Sequence, residues 1–343
     1  MDILNLLNAS APTGLWASII NWMEGGIANY AVVLILITLM IKVVMLPLDV
    51  YNKIISKKNT RMMVAMQPEL NKINQRYANN PQIKNQKTAE VYKKHHYNVY
   101  GMCFSMLLYM GLTMTIFFTL FGTLNKMSAY KIKEEYNTLK TVYNQTYEEK
   151  FNSYDGSLEI TAEEYATQEA EKAVVKEYGE IKSGFLWIKS IWRPDTPAKV
   201  TLTYKNFIKE TGLKKTEVTK EEYQKIMNPI QKEYSGWNGY FLLAILNGAL
   251  SFGSVYIGGL ITKHKAKKNN LPYVQDTNKT MMIVMPIIMA VFTLIYNAAF
   301  GIYIVTGSLV SFLTSPLVTL VTETIDYKMQ QKEANKHKVA YSR

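Results

Sequence analysis

The sequence is poor in the residues that build covalent or metal centres. Its 343 residues include one cysteine and four histidines, which excludes an intrachain disulfide, and the scattered histidines lack metal-ligand spacing. It contains neither an H-E-x-x-H motif nor a glycine-rich phosphate loop. We therefore expect no catalytic residue, no metal site and no cofactor. The single cysteine, Cys103, is best explained as a small apolar packing residue.

Charge is nearly absent from four long blocks of the chain. The mean hydropathy of -0.07 would suit a soluble protein, but the apolar residues are concentrated rather than spread. Block 27–48 contains a single charge, that of Lys42, and blocks 101–124, 239–262 and 281–322 contain none. Since a spanning helix needs about 20 apolar residues, the first three blocks fit one span each and the fourth fits two. These blocks predict an all-α polytopic membrane protein with five transmembrane helices.

The distribution of basic residues predicts the orientation of these spans. Residues 49–98 carry ten basic and three acidic residues, 263–279 five and one, and 323–343 five and three, whereas 125–237 carries eighteen of each. Because cytoplasmic loops carry the excess of Lys and Arg, we expect the N-terminus outside and the C-terminus in the cytoplasm. Binding to nucleic acid is the alternative explanation, but charge at membrane edges is explained more simply by orientation.

The spans and their connections divide the chain into ten segments. In order, they are an external amphipathic N-terminal segment (1–26), the first span (27–48), a cytoplasmic helical hairpin (49–98), the second span (99–124), an external, mostly helical insertion (125–237), the third span (238–262), a basic cytoplasmic loop (263–280), the fourth span (281–298), the fifth span (301–322) and a basic cytoplasmic tail (323–343).

The predicted hairpin carries a stripe of methionines. Met62, Met63 and Met66 recur at roughly helical spacing before Asn79-Asn80-Pro81 interrupts the pattern. Methionine adapts its shape to many partners, so the stripe could contact hydrophobic segments of a substrate. Alternatively, it packs on the second helix of the hairpin or rests on the membrane surface, and we favour this explanation.

The external insertion contains two helix-start signals. Thr161 and Thr219 each stand three residues before a glutamate, Glu164 and Glu222. This spacing is that of a capping box, in which the two side chains each accept a backbone hydrogen bond at a helix start. We expect a helix to begin after each threonine.

Lys42 is the most informative residue of the sequence. A lysine near the middle of a span costs about 2.5–3.5 kcal/mol on insertion scales, so such residues usually face a protein interior or a water-filled cavity. Alternatively, the side chain reaches up to the headgroups. That reach would be about one and a half helical turns if the span stops near Pro47, so we favour a wet cavity.

Four short motifs follow one another along the chain. They are Ile41–Leu48, Met66–Leu70 with the later Asn80-Pro81, Phe185–Ile188 with Pro194-Asp195, and Met285–Ile288. In this order they resemble the end of the first core span, the cytoplasmic hairpin, the element before the third core span and the start of the fourth in the YidC/Oxa/Alb family of membrane protein insertases. The span count and the predicted topology agree with that family.

The chain departs from the family pattern at several positions. Lys42 stands where relatives usually have arginine, and Tyr109 and Gly111 stand where glutamine and proline are expected. Val99 follows Asn98 in place of the usual Asn-Pro, and Ala298–Gly301 replaces Pro-x-Gly-Leu. The external insertion is also longer than usual. We interpret the chain as a divergent bacterial member of the family, located in the plasma membrane.

The resemblance implies an insertase that works without ATP. In the family, five spans enclose a hydrophilic groove that is open to the cytoplasm and to lipid. Lys42 would attract acidic tails of nascent membrane proteins, and the apolar segment would then pass into the bilayer. Further polar residues of the apolar spans are candidates for the groove lining, or else for helix–helix hydrogen bonds: Thr38, Asn247, Asn297 and Thr306.

Several partners and functions stay open at this point. The ribosome could bind the basic tail, a Sec translocon could cooperate with the chain, and the external insertion could hold an unknown partner. A small secondary transporter or ion-conducting protein is an alternative, although transporters often have repeated halves. A non-catalytic assembly scaffold is a third possibility.

Overall fold

The protein is almost entirely helical. The computed structural model describes residues 11–27, 29–95, 97, 99–156, 159–269 and 279–341, and describes the backbone alone at 99–103, 105, 106, 279–282, 285 and 333–341. The side chain of Cys103 and residues 270–278 of the basic loop thus lie outside the described part. Within it the chain forms no strand and ten helices: α1 (Leu15–Glu24), α2 (Tyr30–Arg76), α3 (Pro81–Lys94), α4 (Val99–Asn152), α5 (Ala162–Ile181), α6 (Tyr204–Thr211), α7 (Lys220–Glu233), α8 (Leu242–Lys268), α9 (Lys279–Ile295) and α10 (Ala298–Tyr341).

Four of these helices, α2, α4, α8 and α10, are long and apolar enough to cross a membrane. Helix α9 is also apolar but has 17 residues. The predicted all-α, multi-pass membrane protein is therefore confirmed. The long block 281–322 is divided between α9 and α10, and the side chain of Asn297 accepts a hydrogen bond from the N–H of Phe300 at the start of α10.

The long helices extend well past their apolar parts. Helix α2 has 47 residues and continues through both Pro47 and Pro68, while α4 has 54 residues and α10 has 44. The residues that follow each apolar part include many helix-favouring Lys, Glu and Gln. The first helix therefore does not end near Pro47.

The chain divides into two compact units. Unit I comprises the described residues of Met1–Ile37, Phe118–Leu246 and Met289–Val305, and unit II those of Thr38–Phe117, Asn247–Ile288 and Thr306–Arg343.

Unit I is built on an aromatic core. Tyr136 of α4 is buried and packs against Phe207 of α6 and Tyr223 of α7, with ring centroids 5.0 and 5.7 Å apart. Helix α5 packs along α7, and the ring of Tyr178 meets that of Tyr234 edge-on at 5.1 Å. Aromatic contacts thus link α4 with α6 and α7, and α5 with the end of α7.

The predicted helix starts are confirmed in this unit. Thr161 accepts a hydrogen bond from the N–H of Glu164 at 3.1 Å, and the Glu164 carboxylate accepts one from the N–H of Thr161 at 3.0 Å. Thr219 caps α7 in the same way, accepting from the N–H of Glu222 at 3.2 Å. The Glu222 carboxylate instead forms an ion pair with Lys140 of α4 at 2.5 Å, which ties α7 to α4.

The stretch between α5 and α6 is irregular and is held by two buried side chains. Asn238 donates to the carbonyls of Ser190 and Pro194 and accepts from the N–H of Ser190. Asp195 accepts from the N–H groups of Tyr240 and Leu243 at 2.9 and 2.6 Å, which caps the start of α8.

The same stretch also reaches the turn before α10. The N–H groups of Ala298 and Ala299 donate to the carbonyls of Arg193 and Ile191 at 2.8 and 2.9 Å. The starts of α8 and α10 are thus joined through one connecting segment within unit I.

Candidate functional site

Lys42 lies in unit II, where its side chain is directed at α10. Its Nζ donates to the Ser311 hydroxyl at 3.0 Å, and a Cβ placed at Gly307 would lie 3.4 Å from the Lys42 Cε. The lysine stem therefore packs close to the backbone of α10 at Gly307. Among the described residues Ser311 is the one acceptor within hydrogen-bond distance, which leaves two of the three N–H donors of the ammonium group.

Asn247 of α8 is fully buried at the centre of a second polar contact. Its side-chain oxygen accepts from the hydroxyls of Ser308 and Ser251 at 2.6 and 3.4 Å. Its amide nitrogen is buried and has no partner within the described part of the chain. Burying an amide donor without a partner costs about 1–3 kcal/mol, so this position is energetically unfavourable in the described arrangement.

The two polar contacts meet on α10. Ser311 accepts from Lys42 through its hydroxyl and from the hydroxyl of Ser254, at 3.4 Å, through its carbonyl. Residues of α2 and α8 thus bind the same turns of α10, and together they form what we call the polar seam: Lys42, Asn247, Ser251, Ser254, Ser308 and Ser311.

The other predicted lining residues have different surroundings. Thr38 is buried one turn before Lys42, with its methyl group 3.8 Å from a Cβ placed at Gly307. Thr306 is half-buried on α10 in the same unit. Asn297 belongs to unit I, where it caps α10. The structure therefore brings Lys42, Thr38, Asn247 and Thr306 into one unit and leaves Asn297 in the other.

A second, acidic residue stands on the Lys42 face of α2. Asp49 is seven residues, or about two turns, further along the helix, and it accepts a hydrogen bond from the Tyr109 hydroxyl of α4 at 2.5 Å. Tyr109 is one of the positions at which the sequence departs from the family pattern. Its hydroxyl gives α4 a polar contact with α2 in unit II.

Beyond the polar seam, α2 and α10 are joined by a ladder of buried and half-buried charges. The Lys53 ammonium donates to the Thr319 hydroxyl at 2.6 Å. Lys57 forms an ion pair with Glu323, and Arg61 with Asp326. Residue numbers increase together along both helices, so α2 and α10 run parallel. We call these three contacts the charge ladder.

The methionines of the predicted hairpin lie in a small apolar cluster. Met66 is fully buried with Leu70 of α2 and Val91 of α3, and Met62 and Met63 are half-buried against it. Lys94 of α3 pairs with Glu69 of α2 at 2.9 Å. These are the packing contacts expected if the stripe covers α3.

Comparison with known sequences places the chain in a family. The family model described as 60Kd inner membrane protein matches residues 22–324, which include the four motifs and every residue of the polar seam. The chain belongs to the YidC/Oxa family. That assignment confirms the resemblance drawn from the motifs.

Individual YidC/Oxa relatives match a shorter part of the chain. The membrane protein insertase YidC of Fusobacterium nucleatum is 36% identical over 108 residues, which are 32% of this chain and 49% of the relative. Those of Clostridium tetani and Chlorobium limicola are each 32% identical, over 26% and 29% of this chain and 39% and 16% of the relatives. The matches thus span at most about half the length of these relatives. No solved structure matches the chain.

Sequence reasoning missed most of the polar seam in this YidC/Oxa member. Ser308, Ser311, Ser315, Thr319 and Thr322 recur every three or four residues through an apolar helix. Such spacing places small polar residues on one face, where they let neighbouring helices approach. That periodicity was readable from the sequence, whereas the pairing of Ser311 with Lys42 depends on a contact across 269 positions.

Proposed function

We propose that the protein is a membrane protein insertase that works without ATP. It takes polar tails of nascent membrane proteins into a hydrophilic groove and releases their apolar segments to lipid. The observation that carries this proposal is Lys42: a cationic side chain in an apolar helix, with one protein acceptor and two remaining donors. Membership of the YidC/Oxa family, whose relatives are called membrane protein insertases, supports the same activity.

The physical task of such a groove is to keep a crossing tail hydrated. Each unpaired backbone group costs several kcal/mol in hydrocarbon, so a polar path part-way across the bilayer lowers the barrier. We assign the lining to Lys42, Thr38, Asn247 and Thr306. The attraction between the ammonium and a carboxylate 4 Å away is about 1 kcal/mol in water and about 4 kcal/mol at an effective dielectric of 20.

We also propose five crossings, with the N-terminal side of α2 outside the cell. The parallel pairing of α2 and α10 supports this number. Two parallel spans are separated by an odd number of crossings, and α4 and α8 supply two, so α9 supplies the third. Its 17 residues are at the lower limit for a spanning helix. The basic connections then face the cytoplasm, and α5 to α7 face the outside.

Site-specific crosslinking to a ribosome-bound nascent membrane protein tests this function. A photoreactive residue at Thr306 is expected to label the nascent chain, because Thr306 stands beside the Lys42 contact on α10. The same probe at Leu317, which is 64% exposed on α10, is expected to label lipid. Equal labelling of the nascent chain from both positions, or from neither, would contradict the proposed groove.

A further inference from the structure

The helices α6 and α7 of unit I enclose an open groove that the insertion mechanism does not use. Its volume is about 580 Å³, within the range of about 300–1,000 Å³ that is usual for ligand sites. We call it the α6–α7 groove. It is large enough for a short stretch of an extended chain.

The walls of the α6–α7 groove are positively charged. Lys205, Lys215 and Lys220 line it, and all three side chains are exposed. The described lining residues include no carboxylate, and none of the three lysines forms an ion pair within the described chain. Residues 125–237 carry equal numbers of basic and acidic residues, so this local excess of positive charge is a feature of the groove and favours an anionic ligand.

One wall also carries a row of amides. Gln224, Asn228 and Gln231 of α7 line the groove at spacings of four and three residues, which places them on one helix face. Each amide offers a donor and an acceptor. A row of such groups matches the alternating N–H and C=O groups of an extended peptide.

The floor of the groove is apolar. It includes Leu202, Ile208 and Met227. The Tyr223 hydroxyl is occupied because it donates to the Leu202 carbonyl at 2.9 Å, and burial raises the pKa of this phenol well above its usual value. An aliphatic floor with an adaptable methionine accommodates varied apolar side chains.

We propose that the α6–α7 groove binds an acidic, partly apolar polypeptide segment. The three lysines select carboxylates, the amides bind the peptide backbone, and the floor accepts apolar side chains. The inference rests on the proposed function for the source of that segment, which would be the acidic tail of an inserted protein after it has crossed the membrane. By binding the tail outside the membrane, the α6–α7 groove would oppose its return and so favour insertion.

Equilibrium binding to the full-length protein in lipid nanodiscs tests this proposal without requiring insertion. The probe is a short fluorescent peptide of alternating glutamate and leucine, and its neutral counterpart has glutamine in place of glutamate. The binding variant combines Lys205→Gln, Lys215→Gln and Lys220→Gln. A matched control with the same change in charge combines Lys172→Gln, Lys176→Gln and Lys232→Gln, exposed lysines of unit I that do not line the groove.

We expect saturable binding of the acidic peptide that weakens roughly tenfold in the binding variant and little in the control, because each exposed charge contributes modestly. A variant with Lys205→Glu, Lys215→Glu and Lys220→Glu is expected to prefer a peptide of alternating lysine and leucine. Equal weakening in both glutamine variants, or equal affinity for the neutral peptide, would overturn the proposal. Displacement of the probe by dextran sulfate at a lower mass concentration than by unlabelled acidic peptide would assign the groove to an anionic glycan instead.

Failure of this experiment is distinguishable from failure of the proposed function. If nascent chains crosslink to Thr306 but the peptide does not bind, the α6–α7 groove is not a tail-binding site and the insertase remains. If the peptide binds but nascent chains fail to crosslink, the groove binds acidic polypeptides of another source, and the tail assignment is overturned.

Discussion

The ammonium group of Lys42 forms fewer hydrogen bonds with the described residues than its three N–H donors allow. Its one hydrogen bond within the described chain goes to a neutral serine hydroxyl, whereas the ammonium group of Lys57 pairs with a carboxylate. A lysine that must remain available to a passing carboxylate cannot be neutralised permanently by its own protein. The weak acceptor Ser311 orients the ammonium group without forming an ion pair with it.

The charge of Lys42 is therefore expected to decide which tails are inserted. Lys42→Arg should retain insertion, whereas Lys42→Ala and Lys42→Glu should impair substrates with acidic translocated tails, because attraction is lost or reversed. Protease protection of substrates in reconstituted vesicles measures this. Lys58→Glu, an equal change at an exposed site of the same helix, is the control. Normal insertion of acidic tails by Lys42→Glu would refute electrostatic capture.

The unusual position of Lys42 could be predicted from the sequence, but the residues around it could not. A lone lysine in an apolar block is visible in any hydropathy profile, as is the polar character of Thr38 and Asn247. The acceptor Ser311 and the unpartnered amide of Asn247 depend on which helix faces which. Local spacing defines the faces of a helix, but it does not choose the neighbour of each face.

At the scale of elements, α10 has two faces with different roles. Leu309, Leu313 and Leu317 recur every four residues and are exposed, as is expected for a surface that meets lipid. The opposite face carries the serines of the polar seam. Helix α10 therefore connects α2 with α8 through polar contacts while it presents leucine to the bilayer.

The charge ladder is expected to hold α2 and α10 together strongly. Lys57→Ala would leave Glu323 buried without its partner, which costs about 3–5 kcal/mol, whereas replacing both residues with methionine should be close to neutral. Thermal unfolding in detergent measures the difference between these variants. Lys87→Ala breaks an exposed pair with Glu90 and should lower stability far less, because solvent screens exposed ion pairs. If Lys57→Ala lowered thermal stability as little as Lys87→Ala, the charge ladder would not hold α2 and α10 together as proposed.

The elements themselves were partly predictable. The threonine–glutamate spacing correctly predicted the starts of α5 and α7, because capping depends on residues within one turn. The predicted interruption at Asn79-Asn80-Pro81 lies between α2 and α3, whereas α2 continues through Pro47 and Pro68. Loss of one backbone hydrogen bond at a proline can be offset by packing of the surrounding turns. Five residues of the charge ladder lie in the predicted hydrophilic connections, and the sixth, Thr319, lies near the end of the predicted fifth span.

At the scale of the whole molecule, the two units have cores of different composition. The core of unit I contains fully buried tyrosine and phenylalanine rings, whereas the buried centre of the Met66 cluster in unit II is aliphatic and its tyrosines are only partly buried. The polar seam and the charge ladder lie entirely in unit II. We therefore expect insertion to tolerate mutations that loosen the packing of α5 to α7, which lie outside unit II.

Tyr136→Ala tests this separation. Removing a buried ring that contacts Phe207 and Tyr223 should cost about 3–5 kcal/mol and make α5 to α7 sensitive to limited proteolysis. Insertion in vesicles should persist for substrates without acidic tails. Phe151→Ala, on the exposed end of the same helix, controls for loss of an aromatic residue. Complete loss of insertion in Tyr136→Ala alone would favour the scaffold function.

The parallel pairing of α2 and α10 has a consequence for the protein's own biosynthesis. Two of the bonds between these helices join residues 269 and 266 positions apart. At about 5–20 residues per second, a ribosome takes roughly 13–50 seconds to make that length of chain. For all of that time the lysines of α2 are in place while their partners are still unmade. Each new molecule therefore passes through the condition of an unfinished membrane protein with exposed charge, which is the condition of the substrates it is proposed to serve.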